Sequence, residues 1–119
     1  MKLLVVEDDQ FLIQAYQAKA EASGDIELEL ARDGEQGLAQ VEKFAPEVII
    51  LDLVMPKMDG FEFLKRLRES GNKTPVIVST NLESHEQADA AMAAGANDFF
   101  VKSNSSMAEI MDKARKLSA

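Results

Sequence analysis

Five polar residues stand where apolar runs end. Asp52 closes Val48-Ile49-Ile50-Leu51, Glu7 and Asp8 follow Leu3-Leu4-Val5-Val6, Thr80 ends the run that begins at Val76, and Lys102 follows Asp98-Phe99-Phe100-Val101. Short runs of this kind read as strands buried on both faces, and in a parallel sheet their C-terminal ends share one rim, where open α/β proteins do their chemistry. Three carboxylates brought into contact repel by roughly 4 kcal/mol per pair at an effective dielectric of about 20 and a separation of about 4 Å. Lys102 supplies one compensating charge, and a divalent ion would balance the remainder. With oxygen ligands only, a hard ion is favoured: Mg²⁺, with Mn²⁺ as the alternative. Its expected ligands are Asp8, Asp52 and a backbone carbonyl at Val54, with Glu7 acting through water. A carboxylate oxygen held beside a lysine and the Thr80 hydroxyl is arranged to attack a phosphoryl group, and the product would be a hydrolysable acyl phosphate, suited to a reversible switch.

The elements that must position these residues alternate along the whole chain. Leu3 to Val6 predicts a first strand, followed by a helix in which Phe11, Ala15, Ala18 and Ala22 recur until Gly24. Ile26, Leu28 and Leu30 alternate with Glu27 and Glu29, the pattern of an edge strand with one solvated face. Asp33-Gly34 opens a helix with Leu38 and Val41 that Pro46 closes, and Asp59-Gly60 opens a third with Phe61, Leu64 and Leu67 inward, ending near Gly71. Ser84 with Gln87 predicts a capping box for an alanine-rich helix ending at Gly95. Ser106 with Glu109 predicts another, for a last helix with Met107, Ile110, Met111, Ala114 and Leu117 inward; Lys113, Arg115 and Lys116 suit its negative C-terminal end. Five βα units in a row predict a flavodoxin-like, doubly wound (βα)5 fold, its five-stranded parallel sheet ordered 2-1-3-4-5.

At 119 residues with 46% hydrophobic content, the chain is expected to form a single domain over 1–119. Thirteen basic against 21 acidic residues give a net charge of −8, which repels nucleic-acid backbones and anionic lipid. Cysteine is absent, excluding disulfides and thiolate metal sites. No apolar run has the length of a signal core or a membrane span, so a cytoplasmic protein is expected, without direct contact to nucleic acid or membrane. His85, the single histidine, falls in the first turn of an exposed-looking helix and is expected at the surface.

Val5-Val6-Glu7-Asp8-Asp9, Asp52-Leu53-Val54-Met55-Pro56 with Asp59-Gly60, Pro75 to Thr80, and Gly95-Ala96-Asn97-Asp98-Phe99-Phe100-Val101-Lys102 resemble, in order and spacing over essentially the whole chain, the receiver domain of two-component response regulators. The resemblance implies a phosphorylation-activated switch in a phosphorelay, not an enzyme beyond its own phosphorylation and dephosphorylation. It implies Asp52 as phosphoacceptor, Glu7 and Asp8 as the acidic pair for Mg²⁺, Thr80 as switch hydroxyl, Lys102 as phosphate-sensing lysine and Phe99 as switch aromatic. Phe99, lacking a hydroxyl to satisfy, is expected inward even without phosphate. A histidine kinase or histidine phosphotransfer protein would supply the phosphoryl group. A downstream protein or output domain would receive the signal, with pairing of two copies through the helix 4-strand 5-helix 5 face.

Four positions depart from or refine the family pattern. Ser103 replaces the proline usual after the lysine, so a trans peptide is expected, because cis before a non-proline residue costs roughly 2.5 to 4 kcal/mol. Val54 and Leu82, each two residues past a site residue, offer an attacking water no hydrogen bond, which implies slow self-dephosphorylation. Asn81 stands where a small residue is usual and either narrows access or bonds phosphate. The competing class is an aspartate-nucleophile phosphatase of haloacid dehalogenase type, but that pattern places the nucleophile on strand 1 with a second acid two residues on. A cofactor protein of flavodoxin type is a further alternative, but no glycine-rich or hydroxyl-rich phosphate loop follows strand 1 here.

Overall fold

The computed structural model describes residues 1–55, 57–81 and 85–118, with the side chain of residue 85 excepted. Strands and helices alternate: β1 (Lys2–Val6), α1 (Gln10–Ser23), β2 (Glu27–Ala31), α2 (Gly34–Phe44), β3 (Val48–Asp52), α3 (Gly60–Glu69), β4 (Val76–Thr80), α4 (His85–Ala93), β5 (Asp98–Val101) and α5 (Met107–Ser118). The strands form one sheet in the order β2-β1-β3-β4-β5, every pair parallel. This is the flavodoxin-like order the sequence predicts. β3 and β4 are buried at every residue, as helices on both faces require, whereas the edge strand β2 is exposed at Glu27.

Strand alternation divides the core in two. Leu4, Val6, Ile49, Leu51, Val76 and Val78 face Val41 of α2, Phe63, Leu64 and Leu67 of α3, and Ala91 of α4. Leu3, Val5, Val48, Ile50, Ile77 and Phe100 face Tyr16 of α1 and Ile110, Met111 and Ala114 of α5. The odd and even residues of each strand thus serve different layers, so the face on which a strand-end residue emerges follows from its parity.

Two helices turn inward along a different stripe from the one expected. In α1 the buried residues are Ile13 and Tyr16, and Phe11 is 83% exposed. Burying the larger Ile13 and Tyr16 side chains removes more apolar area from water than an alanine stripe can. In α3, Phe63 joins Leu64 and Leu67 in the core, leaving Phe61 only partly buried. The capping box of α5 forms as expected: Glu109 N–H donates to Ser106 Oγ at 3.1 Å and Ser106 N–H to Glu109 Oε1 at 3.3 Å. Lys113 and Arg115 find carboxylate partners, Asp98 at 3.1 Å and Asp25 at 3.3 Å, rather than serving the helix end alone. The cap expected from Ser84 lies outside the described residues.

The loop after β3 is drawn tightly against its neighbours. Gly60 N–H donates to the Leu53 carbonyl at 3.0 Å, and Gly34 N–H to the Met58 carbonyl at 3.3 Å. A Cβ on Gly60 would lie 2.6 Å from the Asp52 carbonyl oxygen and 2.6 Å from Leu53 Cα, both backbone atoms that cannot swing aside. Gly60→Ala is therefore expected to destabilise the fold by about 1–3 kcal/mol through overpacking, read as a lower urea midpoint. An unchanged midpoint would show that this loop yields.

Candidate functional site: an acidic rim at the ends of the parallel strands

Parallel pairing sets Val6 opposite Leu51 and Asp52 opposite Ser79. One residue beyond Val6, Glu7 therefore falls beside Asp52, and by parity both emerge on the α1/α5 side. Both are nearly inaccessible, Glu7 at 2% and Asp52 at 5%, whereas Asp8 is exposed. Carboxylate oxygens of Glu7, Asp8 and Asp52 come within 4.8 Å of one another. The Lys102 ammonium enters from the end of β5 and stands 3.3 Å from Glu7 Oε1 and 3.3 Å from Asp52 Oδ2. The Val54 N–H donates to Asp52 Oδ1 at 3.2 Å, and the N–H groups of Asp8 and Asp9 donate to Glu7 Oε2 at 3.1 and 3.2 Å.

The acidic triplet after β1 divides its labour. Asp9 caps α1, its Oδ1 accepting from the N–H groups of Phe11 and Leu12, which leaves Glu7 and Asp8 to line the rim. Thr80 ends β4 at the same rim, 3% exposed, with its hydroxyl donating to the Phe100 carbonyl at 3.3 Å rather than to any carboxylate. Phe99 is partly buried against the α2/α3 layer. Val54 is 62% exposed and meets the site through its backbone. Asn81 is exposed just past β4, and Leu82 and the side chain of His85 lie outside what the structure describes. No cis peptide occurs among the described residues, so Lys102-Ser103 is trans as expected.

Burial pushes the Glu7 carboxyl up to about 7; the hydrogen bond that its protonated form donates to Asp52 and the Asp52 charge act in the same sense, and Lys102 opposes them. For Lys102, burial disfavours the ammonium, but attraction to Asp52 and Glu7 outweighs it and holds the group above its usual value. The Tyr16 phenol, buried beneath the rim, is raised above its ordinary range by burial and by the Glu7 and Asp52 charges. Three acids against one ammonium leave a net negative pocket of hard oxygen donors, and that donor set fits a divalent ion such as Mg²⁺. A groove of about 410 Å³ lies elsewhere, between α1 and β2 beside Gln17, Ile26 and Leu28.

Two neighbours of Asp52 were not singled out from sequence. Ser79 has Asp52 as its register partner, is 2% exposed, and its hydroxyl has no hydrogen-bond partner. Its signal was a polar residue inside an otherwise apolar strand. Tyr16 carried no comparable mark, since its approach to the acids depends on how α1 crosses the sheet.

The family model described as the response regulator receiver domain matches residues 3–115. The chain belongs to that family. Response regulator MprA of Mycobacterium avium (strain 104) is 33% identical to this receiver over 102 residues, covering 86% of the chain and 44% of that protein. A protein-glutamate methylesterase/protein-glutamine glutaminase of Halalkalibacterium halodurans is 39% identical over 120 residues, covering 98% of the chain but 34% of that protein. The receiver domain of Francisella response regulator 1452 superposes with a TM-score of 0.90 at 32% identity, covering 98% of this chain and 95% of that one. The receiver thus spans less than half the length of these curated relatives. It is a two-component signalling switch by family, and the hydrolase alternative finds no support: the methylesterase likeness is confined to about a third of that protein.

In the metal-free receiver the raised Glu7 pKa has a definite sign. Its folded value of about 7 exceeds the ordinary 4.5, so its contribution to stability is fully present below pH 4.5 and is lost as pH rises through 7. Glu7→Gln in the presence of a chelator is expected to remove this slope and to stabilise the fold at pH 8 by on the order of 2 kcal/mol, after allowance for solvent at the rim. Denaturant titrations from pH 5 to 8 test this. An identical slope in both proteins would assign it to other groups.

Proposed function

We propose that Asp52 of this receiver accepts a phosphoryl group from a histidine kinase or histidine phosphotransfer protein and that the acyl phosphate switches the domain. The carrying observation is the Lys102 ammonium shared by two buried carboxylates, one of which ends the central strand. The Asp52 oxygens are fixed by Val54 N–H and Lys102, so the nucleophile is oriented before a donor arrives. Glu7, Asp8 and Asp52, with the Val54 carbonyl, would hold Mg²⁺ or Mn²⁺. When bound, that ion neutralises charge on the transferring group, which is most of what phosphoryl transfer requires.

Lys102 then screens the added phosphoryl oxygens, and Thr80, freed from Phe100, donates to them. That movement links the rim to β5, whose Phe99 packs on the α2/α3 layer. The exposed face of α4, β5 and α5 is the surface proposed to read the change, by an output domain, a separate target or a second phosphorylated copy. No helix among the described residues is long and apolar enough to cross a membrane, and we place the receiver in the cytoplasm, where its kinase would act. A domain of this size, with one sheet and a core layer on each side, is the whole of the proposed switch.

Incubation with acetyl phosphate and Mg²⁺ is expected to add one phosphoryl group by intact mass to the native chain and none to Asp52→Asn. Equal labelling of both would move the acceptor elsewhere. Val54 is apolar and largely exposed at the mouth, so self-hydrolysis is expected to be slow. Joint replacement of Val54 and Leu82 by Glu and Gln is expected to shorten the phosphoryl half-life roughly tenfold or more, by giving the attacking water a partner. A half-life unchanged by both would remove the apolar mouth as its cause.

A further inference from the structure

Ser79 Oγ is the one buried side-chain polar atom without a hydrogen-bond partner among the described residues. Its place is set by pairing: Asp52 and Ser79 are register partners on adjacent strands, about 4.8 Å apart along the hydrogen-bonding direction. The face follows from alternation. Ile50 and Ile77 pack in the α1/α5 layer, so Asp52 and Ser79, two residues further on, emerge on that same side. Glu7, Asp52 and Ser79 thus fall in one row across β1, β3 and β4, with Ser79 buried as the register neighbour of Asp52. A packing role alone would be better served by valine or alanine, because an unpaired buried hydroxyl is destabilising.

We propose that Ser79 is a positioning residue for phosphoryl transfer, its hydroxyl donating to the Asp52 oxygen that Lys102 releases when a phosphoryl group enters the site. This deepens the assignment of Asp52 as phosphoacceptor and rests on it. In the resting pocket Lys102 occupies Asp52 Oδ2 and Val54 N–H occupies Oδ1, so Asp52 is satisfied without Ser79. An entering phosphoryl group carries the denser negative charge and draws the ammonium outward. With an acyl phosphate donor, the Asp52 oxygen–phosphorus bond forms as the donor's phosphorus–oxygen bond breaks, and the donor carboxylate leaves with the electron pair. In hydrolysis, water oxygen bonds phosphorus, the Asp52 bond breaks and its electron pair returns to the carboxylate, while one water proton stays on phosphate and the other passes to solvent. Both reactions pass through a state with partial negative charge on the Asp52 carboxyl group. A fixed donor to its free oxygen stabilises that state in either direction.

The test compares native protein with Ser79→Ala, Ser79→Cys and Ser79→Thr, measuring phosphorylation by acetyl phosphate with Mg²⁺, self-hydrolysis of the acyl phosphate, and thermal unfolding. Cysteine nearly keeps the volume but is a weak donor, and threonine restores a hydroxyl. Ser79→Ala and Ser79→Cys are expected to slow both reactions by about three- to tenfold, the worth of one neutral hydrogen bond, with unfolding temperatures no lower than native. Ser79→Thr is expected to recover within about twofold of native, which a space-filling role does not explain. In a crystal of the receiver with Mg²⁺ and beryllofluoride, Ser79 Oγ should lie within hydrogen-bond distance of an Asp52 carboxyl oxygen. Native rates in both Ser79→Ala and Ser79→Cys, or a hydroxyl turned from Asp52 in that crystal, overturn the positioning role while leaving the acceptor intact. Failure of the native protein to label at Asp52 overturns both.

Discussion

Two carboxylates, Glu7 and Asp52, are buried side by side and held there by one ammonium, and the remaining architecture serves that arrangement. Burying like charges together is unfavourable, and a single lysine does not cancel it. The residual repulsion appears in the Glu7 carboxyl, driven up to about 7 chiefly by burial and by its neighbour. A site so prepared gains most from whatever brings positive charge, which a dication would do; conversion of one carboxylate into an acyl phosphate would move its negative charge outward onto the phosphoryl oxygens, where the ion and Lys102 would meet it. The strain resides in three side chains, so the resting and modified states can differ in partner choice while the sheet stays as it is.

Holding the acids together requires a scaffold that cannot relax. Each acid extends from a strand whose preceding residues are fully buried, and parallel pairing fixes their relative height. Behind Asp52 the chain is pinned by Gly60 against the Asp52–Leu53 backbone and by Gly34 against Met58, while Lys57 reaches the buried Asp33 at 3.7 Å. At the opposite end of the sheet Arg68 donates to the carbonyls of Asn72, Thr74 and Gly95 and to Asn97 Oδ1, joining the end of α3 to the turn before β5. Burial lowers the Arg68 pKa, and no carboxylate among these contacts offsets it. The floor is thus tied by backbone acceptors, and the titratable chemistry is concentrated at the rim.

A receiver that spans less than half of its curated relatives is a module whose meaning depends on what reads it. The same fold accompanies a response regulator in one relative and a methylesterase in another, consistent with chemistry kept at the strand ends and readout delegated to an outer face. Near the site this chain carries Ser103 after the lysine with a trans peptide, an exposed Val54, and a serine in the strand beside the phosphoacceptor candidate.

The order of strands, the parallel pairing and the meeting of Glu7, Asp8, Asp52 and Lys102 were legible in the residues themselves. Apolar runs of strand length and turn signals repeat with a period that permits few topologies, and acids at the ends of neighbouring strands must then meet. Side-chain choice within elements was not legible. α1 offers an alanine-rich stripe and one through Ile13 and Tyr16, and α3 offers Phe61 or Phe63; only the packed sheet surface selects between them, by area buried. Likewise Asp9 reads as a third acid until the start of α1 claims it as a cap, and Thr80 as a rim hydroxyl until Phe100 O claims its proton. Sequence alone determined which residues reach the rim, because strand periodicity is local. Tertiary structure decided which partner each one takes there and that Ser79 takes none, because hydrogen bonds across strands depend on register and face, which no single segment contains.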